Sequence, residues 1–229
     1  MNKQSGFIEI TSVCYADCPY CNAAKDSGHM EPGKIKYLLD EMKARGVSNC
    51  TLSGGEPFFH PDIYSILPYA KSIGMNLLVI SNGTCVASEL CQFLSAEYDV
   101  SIQLTFDGYN AESHDKTRGA GNFYKLTTGL RTLCNRGDYS GRVFLRINLH
   151  SGNIGQIDRI LEMFQREYFD DSNTAAQIDL IFAKLLTSGG VEPGRFNEYL
   201  SKDEYLQSNV FRIFEAWNST HNVKISYDT

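Results

Sequence analysis

The feature that most restricts the fold of this 229-residue chain is a repeated alternation of short apolar runs with segments of helical periodicity. "FIEITSV" (Phe7 to Val13) reads as a strand. After a cysteine-containing loop, Ile35, Leu38, Leu39 and Met42 fall at i, i+3, i+4, i+7, the spacing of an amphipathic helix, and Gly46 supplies a stop. "NCTLSG" is a second strand, followed by a helix through Ile63, Ile66, Leu67 and Ala70, with Pro61 suited to its first turn. "MNLLVIS" precedes a helix around Leu90, Phe93 and Leu94, and "YDVSIQLTF" precedes one through Leu126, Leu130, Leu133 and Cys134. "RVFLRINLH" leads to Ile157, Ile160, Leu161 and Phe164. "QIDLIFAK" leads to a last helix through Leu206, Val210, Ile213, Phe214 and Trp217, and "NVKISYD" can add a final strand. Six such βα units imply an α/β fold with a parallel sheet and right-handed crossovers. An open doubly wound sheet and an incomplete (β/α) barrel both satisfy the pattern.

No Pro/Ser/Gly-rich linker divides the chain. The expectation is one domain over residues 1–229, with a core over 7–186 and a helix–strand extension over 187–229. "TSGGVEPG" (Thr187 to Gly194) is the most irregular connection. In parallel α/β folds, functional residues gather just beyond the carboxyl ends of the strands. The polar and glycine-rich departures fall there. The cysteine loop follows strand one, "GGEP" (Gly54 to Pro57) strand two and "SNG" (Ser81 to Gly83) strand three. "TFDG" (Thr105 to Gly108) ends strand four, Asn148 lies near the end of strand five, and "TSGG" follows strand six.

The cysteine loop, "CYADCPYC", places Cys14, Cys18 and Cys21 within eight residues. Their spacing does not alternate as a strand core would, and Pro19 disfavours a regular helix. A compact loop wrapped around one object fits better. Seven cysteines is an odd number, and the start "MNKQSGFIEI" has no apolar stretch of the signal-peptide kind. The expected setting is a reducing cytoplasm, where structural disulfides are rare. Structural zinc wants four protein ligands, usually as two pairs, and no second pair is present. Cys50, Cys85, Cys91 and Cys134 lie on or beside predicted strands and helices and are expected to be small buried hydrophobes. Three soft thiolates with one coordination position open suit an iron–sulfur cluster. No apolar run approaches a membrane span. The net charge of −6 gives no electrostatic reason to expect nucleic-acid binding.

Cys14-x3-Cys18-x2-Cys21, with Tyr20 before the last cysteine and "GGEP" thirty-three residues after it, resembles the radical S-adenosylmethionine (SAM) superfamily. The resemblance implies a partial (β/α)6, TIM-like barrel. It implies that the three cysteines hold three irons of a [4Fe–4S] cluster and that SAM occupies the fourth. Reductive cleavage of SAM then gives a 5′-deoxyadenosyl radical that removes hydrogen from a substrate. Gly54 and Gly55 would let the backbone approach SAM closely. Glu56 and backbone carbonyls would accept hydrogen bonds from its amino group, and Pro57 would stiffen the turn. Tyr20 would shield the cluster or lie against the adenine, and Ser81 and Asn82 would belong to the SAM pocket.

"TFDGYNAESHDKTRG" (Thr105 to Gly119) is similar to a segment of the peptide- and protein-modifying branch, which includes sulfatase and ribosomal-peptide maturases. There Thr105 stands at a position near the SAM ribose, and Arg118 at one that pairs with the SAM carboxylate. Asp107 would fix the loop or face substrate, and His114 would shape the loop. Gln103 shares a strand face with Thr105, and Asn148 is a further candidate for methionine or adenine contacts. A flavodoxin- or ferredoxin-like electron donor is implied.

The maturases often carry a C-terminal domain whose cysteines hold auxiliary clusters, yet Cys134 is the last cysteine here. One cluster is therefore expected, and the substrate is a peptide or a small molecule. The competing expectations are small-molecule or cofactor synthesis, glycyl-radical activation, a non-catalytic metal-binding module, and an electron-transfer protein using the cluster alone. "GGEP" has no use in the last.

Overall fold

The computed structural model describes residues 5–21, 23, 28–86, 88, 91, 97–136, 142–169, 178–184 and 201–227. Seven strands form one parallel sheet: β1 (Ser5–Thr11), β2 (Asn49–Gly54), β3 (Asn76–Ser81), β4 (Ser101–Phe106), β5 (Val143–Leu149), β6 (Ile178–Lys184) and β7 (Ile225–Tyr227). Their spatial order is their chain order, β1 to β7. That order decides between the two architectures left open by the sequence. A doubly wound sheet reverses its direction of growth at a switch point; this sheet never does. Right-handed crossovers along such an order place connecting helices on one face, and the sheet curls into a partial TIM-like barrel.

The helices are α1 (Pro32–Ala44), α2 (Ile63–Ser72), α3 (Ala111–Arg118), α4 (Asn122–Cys134), α5 (Ile157–Phe164), α6 (Lys202–Gln207) and α7 (Val210–Thr220). Alternation along the strands separates the two faces of the sheet. Ile8 and Ile10, Leu52, Val79, Leu104 and Phe106, Leu145 and Ile147, Leu180 and Phe182 are all buried in the single core. They pack with the helical stripes predicted from spacing, among them Ile35 and Leu39, Ile66 and Leu67, Leu126 and Leu130, Ile160 and Phe164. The alternate residues, among them Ser53, Ile80, Gln103, Thr105, Arg146 and Asn148, turn to the concave face and line its cavity.

Three elements differ from the sequence reading. Helix α3, in the segment after β4, has no apolar stripe to announce it; Asn110 and Ser113 start it with a reciprocal capping box. The last predicted helix is two helices, because Ser208 adopts extended backbone (φ −67°, ψ 153°) between α6 and α7. Helix α5 continues into a π-helical turn, Gln165–Phe169. The helix expected around Leu90, Phe93 and Leu94, and "TSGGVEPG", lie outside the described residues. Among the described residues no helix is long and apolar enough to cross a membrane.

Candidate functional site

The concave face holds a cavity of about 420 Å³ at the carboxyl end of the strands. Its lining includes Cys14, Cys18, Cys21 and Tyr20 from the loop after β1, and Ser53, Gly54 and Gly55 from the end of β2. Ile80, Ser81 and Asn82 come from the end of β3, Gln103 and Thr105 from β4, Arg118 from the end of α3, and Arg146 and Asn148 from β5. The structure thus gathers the residues assigned in sequence to the cluster or SAM around one space, with two exceptions. Glu56 and Pro57 stand behind the wall.

The cysteine loop is pinned at its base. Ser12 N–H donates to the Gly28 carbonyl (2.9 Å), Met30 N–H to the Ile10 carbonyl (2.9 Å), and Thr11 Oγ1 meets His29 Nδ1 (2.9 Å). The "GGEP" turn then binds to the loop's first residues. Gly55 N–H donates to the Thr11 carbonyl (2.6 Å) and Glu56 N–H to the Val13 carbonyl (2.7 Å). Here the glycines are required for a reason inside the protein. A Cβ on Gly54, whose φ is +129°, would collide with the Thr11 carbonyl, and one on Gly55 with that of Val13, next to Cys14. Gly55→Ala is expected to cost about 1 to 3 kcal/mol of stability, the usual penalty of overpacking, and to lower iron uptake by the displaced loop. Urea unfolding and iron analysis check this; wild-type values in both would contradict it.

Glu56 has no exposed surface. Its carboxylate accepts from Phe58 N–H (3.3 Å), Ser81 Oγ–H (2.9 and 3.0 Å) and Asn82 N–H (2.8 Å). It joins the turn after β2 to the turn after β3, and its oxygens face these donors rather than the cavity. Asn82 in turn donates from Nδ2 to Cys14 Sγ (3.3 Å). Burial raises the Glu56 pKa to about 7 against the pull of its three donors. A carboxyl whose folded pKa lies above its unfolded value of 4.5 contributes stability that is full below 4.5 and is lost as pH rises through 7. The difference in unfolding free energy between wild type and Glu56→Gln therefore shifts toward the variant across that window. Parallel pH profiles would contradict the assignment.

A second buried network centres on Asp107, which is fully buried. Its carboxylate takes Arg118 Nε (2.8 Å) and Nη2 (3.2 Å), Thr117 Oγ1 (2.7 Å) and the Tyr20 hydroxyl. Burial alone would raise the Asp107 pKa; the Arg118 charge and the hydrogen bonds outweigh it and hold it below the usual carboxylate range. The Arg118 guanidinium also lies 5.3 Å from the Tyr20 ring. Tyr20, two residues after Cys18, is thereby tied to β4 and α3. His114, also fully buried, accepts from Asp107 N–H at Nδ1 (3.3 Å) and meets the Phe106 and Phe123 rings edge-on. Its Nε2 is buried without a hydrogen-bond partner. Burial lowers its pKa to about 4, so it is neutral and structural near neutral pH.

The donor set fits an iron–sulfur cluster. Among the described residues no three His, Cys, Asp or Glu side chains converge where a single metal ion could sit. The three thiols instead share the wall of one cavity, as suits a cluster that takes one thiolate on each of three irons. Burial raises the pKa of Cys14, while the Ala16 backbone and the Asn82 amide pull it down. Burial raises that of Cys18, opposed by the Arg118 charge. The thiolate, the form a metal takes, thus has donors and a cation already aimed at it. Of the remaining cysteines, Cys50 and Cys91 are buried, whereas Cys85 and Cys134 are only half-buried.

Sequence reasoning missed Arg146, Ser53 and Asn153. Asn153 is buried and donates from Nδ2 to the Asp107 carbonyl (3.1 Å) and the Asn148 carbonyl (2.9 Å), fastening the ends of β4 and β5 together. The one available signal for Arg146 was its charge, two residues from Asn148 in an otherwise apolar strand.

The chain is 32% identical over 130 residues to the AdoMet-dependent heme synthase of Methanosarcina barkeri, covering 55% of this chain and 37% of that protein. It is 27% identical over 161 residues to the mycofactocin maturase MftC of Mycobacterium ulcerans, covering 69% and 43%. It therefore spans about two fifths of the length of these curated relatives. Streptococcus suis SuiB bound to the precursor peptide SuiA shares its fold, with a TM-score of 0.80 at 13% identity over 98% of this chain and 48% of that one. Residues 8–164, well over half of the sequence, match the family model, and the cysteine loop and glycine turn enclose one cavity: the chain belongs to the radical SAM superfamily, enzymes that use a [4Fe–4S] cluster and SAM.

Proposed function

We propose that this chain is the catalytic core of an enzyme that modifies a peptide or protein side chain by hydrogen abstraction. The observation that carries the reading is one cavity lined both by Cys14, Cys18 and Cys21 and by Gly54, Gly55, Ser81, Asn82, Gln103, Thr105 and Asn148. When bound, the cluster and SAM supply reductive cleavage of the SAM sulfonium and with it the capacity to remove a substrate hydrogen atom. The chain's own residues do the rest. The three thiolates hold the cluster. The edge of Gly54 and Gly55 accepts hydrogen bonds from the SAM amino group. The hydroxyl and amide groups of Ser81, Asn82, Gln103, Thr105 and Asn148 orient the nucleoside and methionine parts. Tyr20, anchored by Asp107, covers the cluster loop. An electron arrives from a flavodoxin- or ferredoxin-like protein.

The peptide reading draws on the similarity to mycofactocin maturase and on the fold shared with SuiB, whose structure holds a precursor peptide. A second reading, small-molecule or cofactor synthesis, is favoured by the 32% identity to a heme synthase. The two separate in one assay. The anaerobically reconstituted, reduced protein is given SAM with either a candidate precursor peptide from a neighbouring reading frame or an iron porphyrin. Stimulation of 5′-deoxyadenosine release and a mass change in the peptide support the first reading. The same response to the porphyrin alone overturns it in favour of the second.

A further inference from the structure

Four cysteines stand outside the cluster loop, and two of them meet. Cys85 follows the turn after β3, and Cys91 lies six residues further on. Ser88 draws them together. Its N–H and Oγ–H donate to the Cys85 carbonyl (3.0 and 2.7 Å), and its Oγ accepts from Cys91 N–H (3.3 Å). The Cys91 thiol in turn donates to the Cys85 sulfur. The two differ in access: Cys91 keeps 4% exposure, and Cys85 is half-buried. They also differ in acidity. The hydrogen bond from Cys91 pulls the Cys85 pKa below that of a free thiol, helped by Thr84 and the Lys125 charge against burial. The same bond, with burial, raises that of Cys91. An accessible thiolate with a second thiol in contact is the arrangement of an attacking and a resolving cysteine. The chain next to Cys85 also serves the cavity. Thr84 donates from its N–H (2.8 Å) and Oγ1–H (2.6 Å) to Asn82 Oδ1, which fixes the Asn82 amide that donates to Cys14 Sγ. A disulfide brings two sulfurs to about 2.0 Å, well inside the separation of hydrogen-bonded thiols. Closing it draws Cys85 and Thr84 toward Cys91, and the Asn82 side chain loses its fixed setting.

We propose that Cys85 and Cys91 are a redox pair whose closure to a disulfide loosens the turn after β3 and reversibly lowers SAM affinity. The effect on SAM rests on the reading above; the disulfide itself does not. A glutathione-type disulfide is the oxidant. The Cys85 thiolate attacks one of its sulfurs and releases one glutathione thiolate, leaving a mixed disulfide. Cys91 gives its proton to solvent, its sulfur attacks that of Cys85, and the second glutathione leaves as thiolate. Two protein thiols are oxidised by two electrons, and one glutathione disulfide is reduced to two thiols.

The test equilibrates the cluster-reconstituted chain anaerobically in glutathione buffers of rising disulfide fraction, then alkylates it and digests it with trypsin. Cys85 and Cys91 share one tryptic peptide, Ser72 to Lys116, which holds no other cysteine. By mass spectrometry that peptide is expected to become two hydrogens lighter and to refuse alkylation at a ratio that leaves Cys50 and Cys134 alkylated. Equilibrium binding of SAM to the same samples is expected to weaken roughly tenfold, the scale of one lost hydrogen bond, and to recover with dithiothreitol. Cys91→Ala binds SAM as reduced wild type does and is insensitive to the oxidant; should it fail to fold, Cys85→Ala serves in its place. Glutathione adducts without an internal disulfide in wild type overturn the proposal, as does a disulfide that leaves SAM affinity unchanged. A loss of affinity that Cys91→Ala shares traces to the cluster and also overturns it. A reduced wild-type chain that binds no SAM overturns the SAM reading and with it the effect on SAM, and the peptide map then decides the pair alone.

Discussion

Replacing Asp107 with alanine is expected to lower the melting temperature of the metal-free chain by about 6 to 20 °C. Asp107 is fully buried, and Arg118 keeps only 9% of its side chain exposed. Removing one partner of a buried ion pair leaves the other charge desolvated and uncompensated, at a cost of about 3–5 kcal/mol. For a domain of this size each kcal/mol moves the midpoint by about 2–4 °C. The Tyr20 and Thr117 hydroxyls lose their acceptor in the same step. The double change Asp107→Ala with Arg118→Met removes the stranded charge and is expected to recover a large part of the loss. Circular-dichroism melts check both. A single variant within 2 °C of wild type would show that the pair contributes nothing to the fold.

Cys18→Ala carries the largest expected effect on the cofactor. Cys18 is buried at 6% exposure, and the Arg118 charge and the other two thiols act on it. Its loss leaves one iron of the cluster without the thiolate that would hold it. Iron retained after reconstitution and desalting is expected to fall to a small fraction of wild type, and the visible absorbance with it. The fold should persist, since the apolar core on the helical face of the sheet does not include this residue. Cys50→Ala provides the control. That thiol sits at 1% exposure in the core, and burial holds its pKa at about 11. Its loss should cost stability but not iron. Equal iron in wild type and Cys18→Ala would remove the cluster assignment.

Most of the scaffold was legible because each strand buries one face against a helix whose apolar stripe repeats at the helical period. Ile35 and Leu39, or Leu126 and Leu130, announce themselves by spacing alone. Helix α3 was not legible, since "AESHDKTR" offers no stripe; it is held by its cap and by the Arg118–Asp107 pair. Periodicity left barrel and open sheet undecided, because strand order is a matter of pairing rather than composition; the barrel that the family resemblance implied agrees with the strand order β1 to β7. At the site, the cysteines and glycines were visible as motifs. The inward role of Glu56 was not. A glutamate in a glycine turn reads as a ligand-facing group, and its burial depends on Ser81 and Asn82, twenty-five residues away and one strand over. Arg146 was passed over for a similar reason: a lone charge in a strand gains meaning only when alternation and register show which way it points.

Binding of a cluster and SAM in this one cavity, and their reaction there, underlies every role assigned to its lining. It is tested most directly by reducing the anaerobically reconstituted chain with dithionite in the presence of SAM and quantifying 5′-deoxyadenosine by liquid chromatography. The expected result is a brown protein that releases 5′-deoxyadenosine and methionine in equal amounts, with Cys18→Ala at background. A colourless protein that takes up zinc, or a brown one that leaves SAM intact, would contradict it.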